Sequence, residues 1–283
     1  MTPDIHPTAL VDPKATLGAG VRIGAFSIVG PEVTLAEGAE LGHHVILEGR
    51  VEVGARTKIG HGTVLGGAPQ DLKYKEGTPS GVRIGAETVI REYVTVHRAT
   101  TAEGWTEIGA RCLIMSMSHV AHDCHVGQGV IIINYAGITG HCQIGDYATI
   151  GGYTGIAPFI RVGSYAYLGG AAKVTADVPP FMLADGRPAT VRGVNVIGLR
   201  RAGIPAGDRR VLQAAHRLLY RSGLAPARAV ERIRRELPAN RLVETLVEFV
   251  ASAHRGICGP PGGWRDPDGN PTVAVEPDPE TAG

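Results

Sequence analysis

Leu17-Gly18-Ala19-Gly20-Val21-Arg22-Ile23-Gly24-Ala25-Phe26-Ser27-Ile28-Val29 places an aliphatic residue at its first, seventh and thirteenth positions. The beat continues in both directions: Ile5, Val11, Leu17, Ile23, Val29, Leu35, Leu41, Leu47, Val53, Ile59 and Leu65 follow one another every six residues without a miss. A period of six is neither the 3.6 of a helix nor the 2 of a flat strand. It predicts a β-solenoid in which each hexapeptide is one short strand and a turn, with the aliphatic side chain pointing into the coil. Glycine often follows, as in Leu17-Gly18, Ile23-Gly24, Val53-Gly54 and Ile144-Gly145, where it would permit the corner. Small or β-branched residues four places on, among them Ala9, Ala15, Val33, Ala39, Thr57, Thr63, Ala148 and Thr154, would fill the remaining interior.

The beat returns at Ile84, Ile90 and Val96, lapses at Ala102, and runs from Ile108 through every sixth residue to Val174. Two segments interrupt it, 67–83 and 97–107. The first shifts the phase by one, and the second keeps phase but lacks an interior aliphatic. Loops extruded from a rigid solenoid carry function or contact a neighbour. Asp177-Val178-Pro179-Pro180-Phe181 should end the solenoid, because two prolines prevent further ladder pairing. The chain therefore divides into a solenoid over 1–181, a connector and helical domain over 182–258, and a tail. After a connector from Met182 to Gly203, capping signals predict helices over Asp208–Ser222, Pro226–Leu237 and Asn240–Arg255. Val211, Leu212, Ala215, Leu218 and Leu219 form an apolar stripe that would cap the solenoid or meet a neighbouring chain. Residues 259–283, rich in Pro, Gly and acidic groups, are expected to be disordered.

Composition agrees with this picture. Forty glycines with only 5% aromatic residues, and no collagen triplet, suit a turn-dense all-β repeat. A net charge of +1 gives no field favouring nucleic acid or membrane. Cys112, Cys124, Cys142 and Cys258 form no C-x-x-C pair, so reduced, buried thiols of a cytoplasmic protein are expected rather than a zinc ribbon or redox motif. Neither a signal peptide nor an apolar run long enough to span a membrane is legible.

One stretch departs from the monotony: His119-Val120-Ala121-His122-Asp123-Cys124-His125-Val126-Gly127. Together with the beat, Gln70-Asp71-Leu72-Lys73-Tyr74, Ile90-Arg91-Glu92-Tyr93-Val94-Thr95-Val96-His97-Arg98, Gly193-Val194-Asn195 and Gly198-Leu199-Arg200-Arg201, it resembles the acyl-ACP:UDP-N-acetylglucosamine O-acyltransferases of lipid A biosynthesis over residues 5–256. The resemblance implies a left-handed parallel β-helix followed by a C-terminal helical domain. It also implies a homotrimer with active sites between subunits, and transfer of an (R)-3-hydroxyacyl group from acyl carrier protein to the 3-hydroxyl of UDP-GlcNAc. No metal or redox cofactor is called for.

His122 lies two places after the inward Val120, so its side chain should point away from the packed interior. An alcohol attacking a thioester needs a base near neutral pH, and neutral imidazole serves. Asp123 can hold the other ring nitrogen and fix the tautomer. With three hexapeptides to a coil, residue 122 stacks near Thr139-Gly140-His141. By resemblance the Gly140 N–H is the oxyanion donor, and His119, His141 and His97 line the cleft; for each, a solvated polar residue is the plain alternative. His125 has no assigned role. Also by resemblance, Gln70, Asp71 and Lys73 contact substrate, with Lys73 a point charge for phosphates. Asn195 and Arg201 contact the nucleotide, and Gly170 with Tyr167 sets acyl length. Ala157-Pro158 stands where the family usually has His-Gln, Ile197 replaces an acidic residue, Ala202 a basic one, and Ile133-Asn134-Tyr135-Ala136 departs from Asn-Asn-Ala. These departures leave open a paralogue acting on a modified sugar nucleotide such as a 3-amino sugar. A zinc-dependent hydratase and a silent binding module on the same fold are further alternatives.

Overall fold

Most hexapeptides fold into a two-residue strand and a four-residue turn, the first strand residue facing out and the aliphatic second facing in. The structure, a computed structural model, describes residues 2–253 and 256–264. Successive strands fall in turn on three sheets. Sheet 1 begins at Asp4–Ile5, sheet 2 at Leu10–Val11 and sheet 3 at Thr16–Leu17. Partners along a sheet are parallel and one coil apart, as in Asp4 with Arg22 and Ile131 with Thr149, so three hexapeptides make a coil. Leu35, Leu47, Leu65, Ile84, Ile90, Ile108, Ile114, Ile132, Ile138, Ile150 and Ile156 are fully buried in a continuous axial core. Each contributes about 1.5–3 kcal/mol by leaving water. The small interior positions are filled as expected: Val33, Ala39, Thr57, Thr63, Ala148 and Thr154 are buried.

The corners correct one expectation. The residue in the left-handed region is the third of the turn, and it is usually not glycine: Phe26, His44, Tyr93, Asp123, Tyr135, His141, Tyr147 and Tyr153 all have φ between 56° and 62°. The strain of about 1 kcal/mol each is offset by a ladder of corner hydrogen bonds to the coil before, such as Tyr135 N–H to Ser116 O and Tyr153 N–H to Asn134 O. Ring stacking such as Tyr135 on Tyr153, 4.8 Å apart, adds to this. The glycine after the aliphatic residue is needed for a different reason, the closeness of the next coil. A Cβ on Gly24 would lie 2.4 Å from Gly42 O.

The extruded loops are shorter than the sequence suggested. Arg50–Val53, Gly81–Ile84 and Trp105–Ile108 pair over four residues each in sheet 3, and Val64–Gly67 and Thr95–His97 are lengthened in sheet 2. This leaves 68–80 and 98–104 as loops. Trp105 anchors the base of the second, held between the guanidinium groups of Arg50 and Arg83 at 4.4 and 4.1 Å.

The prolines do not end the ladder. Pro179 and Pro180 occupy a corner, where no ladder N–H is required, and Met182–Gly186 then pairs in parallel with Tyr167–Leu168. Ala189–Val194 returns antiparallel and closes sheet 1, so the connector is mostly a hairpin. Four helices follow, α1 (Val196–Arg201), α2 (Ala206–Arg221), α3 (Pro226–Glu236) and α4 (Arg241–Ala251). The short α1 was not anticipated. Asp208 lies inside the first turn of α2 rather than capping it, whereas Asn240 caps α4 by accepting from Leu242 N and Val243 N. Leu212, Ala215 and Leu219 of the predicted stripe are buried, with Val211 and Leu218 partly so. α2, α3 and α4 pack on one another, and α2 also packs on Ala189–Val194. Arg161 fixes α4 to sheet 3: it pairs with Asp177 at 2.7 Å, lies over the Phe249 ring at 4.4 Å, and donates to Ser252 Oγ.

All four cysteines are free and buried. The start of the expected disordered tail is packed, with Trp264 stacked on Tyr220; residues 265–283 lie outside the described residues, as does Arg255. Among the described residues no helix is long and apolar enough to cross a membrane.

Candidate active site

Strand His119–Val120 of sheet 2 leads into the turn Ala121–Cys124 at the corner with sheet 3. Val120 and Cys124 are buried, which turns His122 outward as the period predicts. One coil on, Gly140 lies directly against its ring: a Cβ there would sit 2.4 Å from Cε1 and 2.7 Å from Nε2 of His122. Outward does not mean solvated, however, for the His122 side chain is only 12% exposed.

His122 Nδ1 lies 2.8 Å from Asp123 Oδ2. A ring nitrogen facing a carboxylate carries the proton, which leaves the lone pair on Nε2. Asp123 is itself held. Thr100 donates to it from Oγ1 at 2.7 Å and from the backbone N–H at 3.2 Å, and the Asp123 N–H donates to Thr106 Oγ1 at 2.8 Å. Burial pushes the Asp123 carboxyl up, but hydrogen bonds from His122 and Thr100 outweigh it and keep the group below its ordinary value. His141 stacks flat on Phe159 at 4.5 Å and meets the His122 ring edge-on at 5.1 Å, with its Nε2 3.7 Å from Asp123 Oδ2. Among the described residues, the Gly140 N–H donates to no group.

A cleft of about 450 Å³ collects these groups: Asp71, Lys73, Thr100, His122, Gly140, His141, Pro158 and Phe159 line it. Asp71 and Lys73 arrive from the first loop, where the Lys73 N–H donates to Asp71 Oδ1. Gln70, expected with them, is exposed and does not line the cleft. Arg98 ties the loop down, donating to Tyr74 Oη and Gly66 O.

His97 and His119 lie beside the cleft on sheet 2, 4.7 Å apart and edge to face. His119 Nδ1 shares a hydrogen bond with Thr95 Oγ1. Burial, then the neighbouring His119, His122 and Arg98, push His97 down to about 4, and burial with His122 lowers His119, so both rings are neutral near pH 7. His97 Nδ1 is buried without a partner. His125 is 57% exposed on sheet 3, against Glu107, away from the cleft.

The remaining expected residues gather elsewhere. Tyr167, Asn195 and Arg201 line a second cavity of about 910 Å³ over sheet 1, walled by Ile131, Tyr147 and Leu183, with Ile197 and Ala202 at its α1 side. The Asn195 amide also caps α1, accepting from Gly198 N and donating to Tyr165 O. Gly170 sits at the corner between sheets 1 and 2, with room for a Cβ 3.4 Å from Gly152 O. Of the departures noted in the sequence, Pro158 thus falls in the first cavity and Ile197 and Ala202 in the second.

Sequence reasoning missed Thr100 and Thr106. The only signal was the missing interior aliphatic at Ala102, which marks the loop without ranking its residues. His122, Asp123 and His141 also form a group whose ligand atoms lie within 4.8 Å of one another, the geometry a metal would ask for. Yet the Asp123 oxygens are already taken by Thr100 and His122. A lone-pair nitrogen backed by an anchored carboxylate, with an open amide beside it and a lysine across the cleft, is suited to drawing a proton from a hydroxyl and stabilising developing negative charge.

Comparison with known proteins gives a consistent result. Residues 177–258 match the family model described as UDP N-acetylglucosamine O-acyltransferase, domain 2. The acyl-[acyl-carrier-protein]–UDP-N-acetylglucosamine O-acyltransferase of Trichlorobacter lovleyi is 54% identical over 90% of this chain and 98% of its own. The protein of that name from Cupriavidus taiwanensis is 55% identical over 89% and 98%. Among solved structures, LpxA from Acinetobacter baumannii superposes with a TM-score of 0.86 at 37% identity, covering 90% of this chain and 99% of the other.

Proposed function

Because the chain belongs to the acyl-[acyl-carrier-protein]–UDP-N-acetylglucosamine O-acyltransferase family, we propose that it acylates UDP-GlcNAc from acyl carrier protein with His122 as the general base. The fold is the family's left-handed parallel β-helix with C-terminal helices. The observation that carries the base is the 2.8 Å contact from His122 Nδ1 to the anchored Asp123, with Gly140 against the same ring.

In the proposed reaction His122 Nε2 takes the proton of the sugar 3-hydroxyl as its oxygen attacks the thioester carbonyl carbon. Asp123 stabilises the imidazolium, and the Gly140 N–H meets the oxyanion. Collapse breaks the carbon–sulfur bond, and the imidazolium returns the proton to the departing thiolate, leaving the free thiol of the carrier. Lys73 faces the diphosphate and Asp71 the (R)-3-hydroxyl of the acyl group, while His119, His141 and His97 shape the cleft. Arg201 and Asn195 face the nucleotide, and Tyr167 with Gly170 bounds the acyl chain. The product is the first intermediate of lipid A synthesis, made in the cytoplasm.

A homotrimer accounts for the division of these residues between two cavities. Sheet 2 with its catalytic corner and sheet 1 with the larger cavity flank a single ridge. Along it stand Phe26, Tyr93, Met117, Tyr135 and Tyr153, each 47–65% exposed. Placing three such ridges about an axis sets sheet 2 of one copy against sheet 1 of the next, covers the apolar ridge and joins the two half-sites.

His122→Ala should leave the assembly intact on a sizing column and lower kcat by a factor on the order of 100 or more; full activity would overturn the base. Offering hydroxyacyl carriers of several lengths with UDP-GlcNAc or its 3-amino analogue, products read by mass, fixes acyl length and acceptor. Preference for the amine would favour the modified-sugar reading that Pro158, Ile197 and Ala202 suggest.

A further inference from the structure

At the corner between sheets 2 and 3 the third turn residue ordinarily bonds to the coil before it: the His141 N–H donates to His122 O, and the Phe159 N–H to Gly140 O. Asp123 cannot follow the rule, because the loop 98–104 replaces the regular corner beneath it. Its N–H turns to Thr106 Oγ1 instead, and its carboxylate folds back onto Thr100.

We infer that Thr100 is a positioning residue for acyl transfer, fixing the Asp123 carboxylate against His122 Nδ1; the inference rests on His122 being the base. The Thr100 hydroxyl donates at 2.7 Å to Oδ2, the same oxygen that faces His122, and the Thr100 N–H lies 3.2 Å from both carboxylate oxygens. Oδ2 is therefore gripped from two sides.

A second imidazole stands close to the same carboxylate. His141 Nε2 stands 3.7 Å from the same oxygen, so a carboxylate freed from Thr100 can turn towards His141 and leave His122 without its orienting partner. The loop that carries Thr100 is tied down on both sides of it. Ala99, the preceding residue, is fully buried, its carbonyl accepts from Ser80 Oγ at 2.5 Å, and the loop closes on itself through Gly104 N–H to Thr101 O. Since the Thr100 hydroxyl proton is spent on Asp123, Thr100 acts through Asp123 rather than on substrate.

The test is a double-mutant cycle on the full chain, assayed with hydroxyacyl carrier protein and UDP-GlcNAc. Thr100→Val keeps shape and backbone N–H but removes the hydroxyl donor, and the half-buried position tolerates it; Thr100→Ala serves as the second variant should valine disturb the fold. The expected result is a fall in kcat of about tenfold with both KM values held. Thr100→Ser should recover most of the loss, and the effect should disappear in an Asp123→Asn background, because the two residues act as one unit. A wild-type kcat for Thr100→Val and Thr100→Ala, or an equal loss with and without Asp123, overturns the role of Thr100. His122→Ala in the same assay separates the two claims. If it is inactive while Thr100→Val is unaffected, only the positioning role fails; if it is active, the base and the positioning role fall together.

Discussion

Gly140 lies where the chemistry leaves no space for a side chain. A single methyl there would press on His122 Cε1 and Nε2 at 2.4 and 2.7 Å, so the ring must swing off Asp123 or away from the cleft. Gly140→Ala should therefore lower kcat on the order of 100-fold, because misplacing the proposed base by about 1 Å costs that much. Gly140 is buried within the turn over 139–142, so some loss of melting temperature should accompany the loss of kcat. Steady-state kinetics beside a melting curve checks this. His122 was legible as an outward side chain from its distance to Val120. Its low exposure and its threonine-held partner were not, because both arise from a loop folding back across more than twenty residues of chain.

Two extruded loops complete the site beside the coil turns that hold His122 and Gly140, and one residue joins them. Arg98, leaving the second loop's strand, donates to Gly66 O and Tyr74 Oη and so holds the first loop where Asp71 and Lys73 reach the cleft. Arg98→Ala should raise KM for the nucleotide substrate about tenfold with a smaller change in kcat, because it loosens binding groups and leaves the His122–Asp123 pair untouched. Initial-rate kinetics with the nucleotide varied is the measurement. The elements were easier to find than to bound. Loop ends moved inward because Gly81–Ile84 and Trp105–Ile108 gained partners on sheet 3, and pairing of that kind is decided by the neighbouring coil, not by the segment.

For the whole molecule, assembly and acid response follow from surface and burial. Tyr135 and Tyr153 stack at the C-terminal end of the exposed ridge. Replacing both with Glu should shift the species on light scattering from the proposed trimer to monomer and abolish turnover, because desolvating two carboxylates at such a contact is strongly unfavourable. His216 in α2 is pushed down to about 4 by burial and by Arg221 and Arg217, and its Nε2 is buried without a partner. His97 is also pushed down to about 4. The unfolded chain takes up protons at these histidines near the ordinary 6.5, whereas the native chain resists until about 4. Stability is therefore complete above pH 6.5 and lost as pH falls from there towards 4. The melting temperature should drop across that window, and His216→Phe should make the drop shallower.

The period of six was sufficient, by itself, to determine the coil, its inward residues and the outward phase of His122, because a solenoid repeats one local rule and each hexapeptide contacts only its neighbours. Only the tertiary structure decided which loop residue grips Asp123, how far each strand extends, and that Asn195 and Arg201 sit on a different face from His122. Those features depend on segments brought together by stacking and by loops whose paths no repeat dictates.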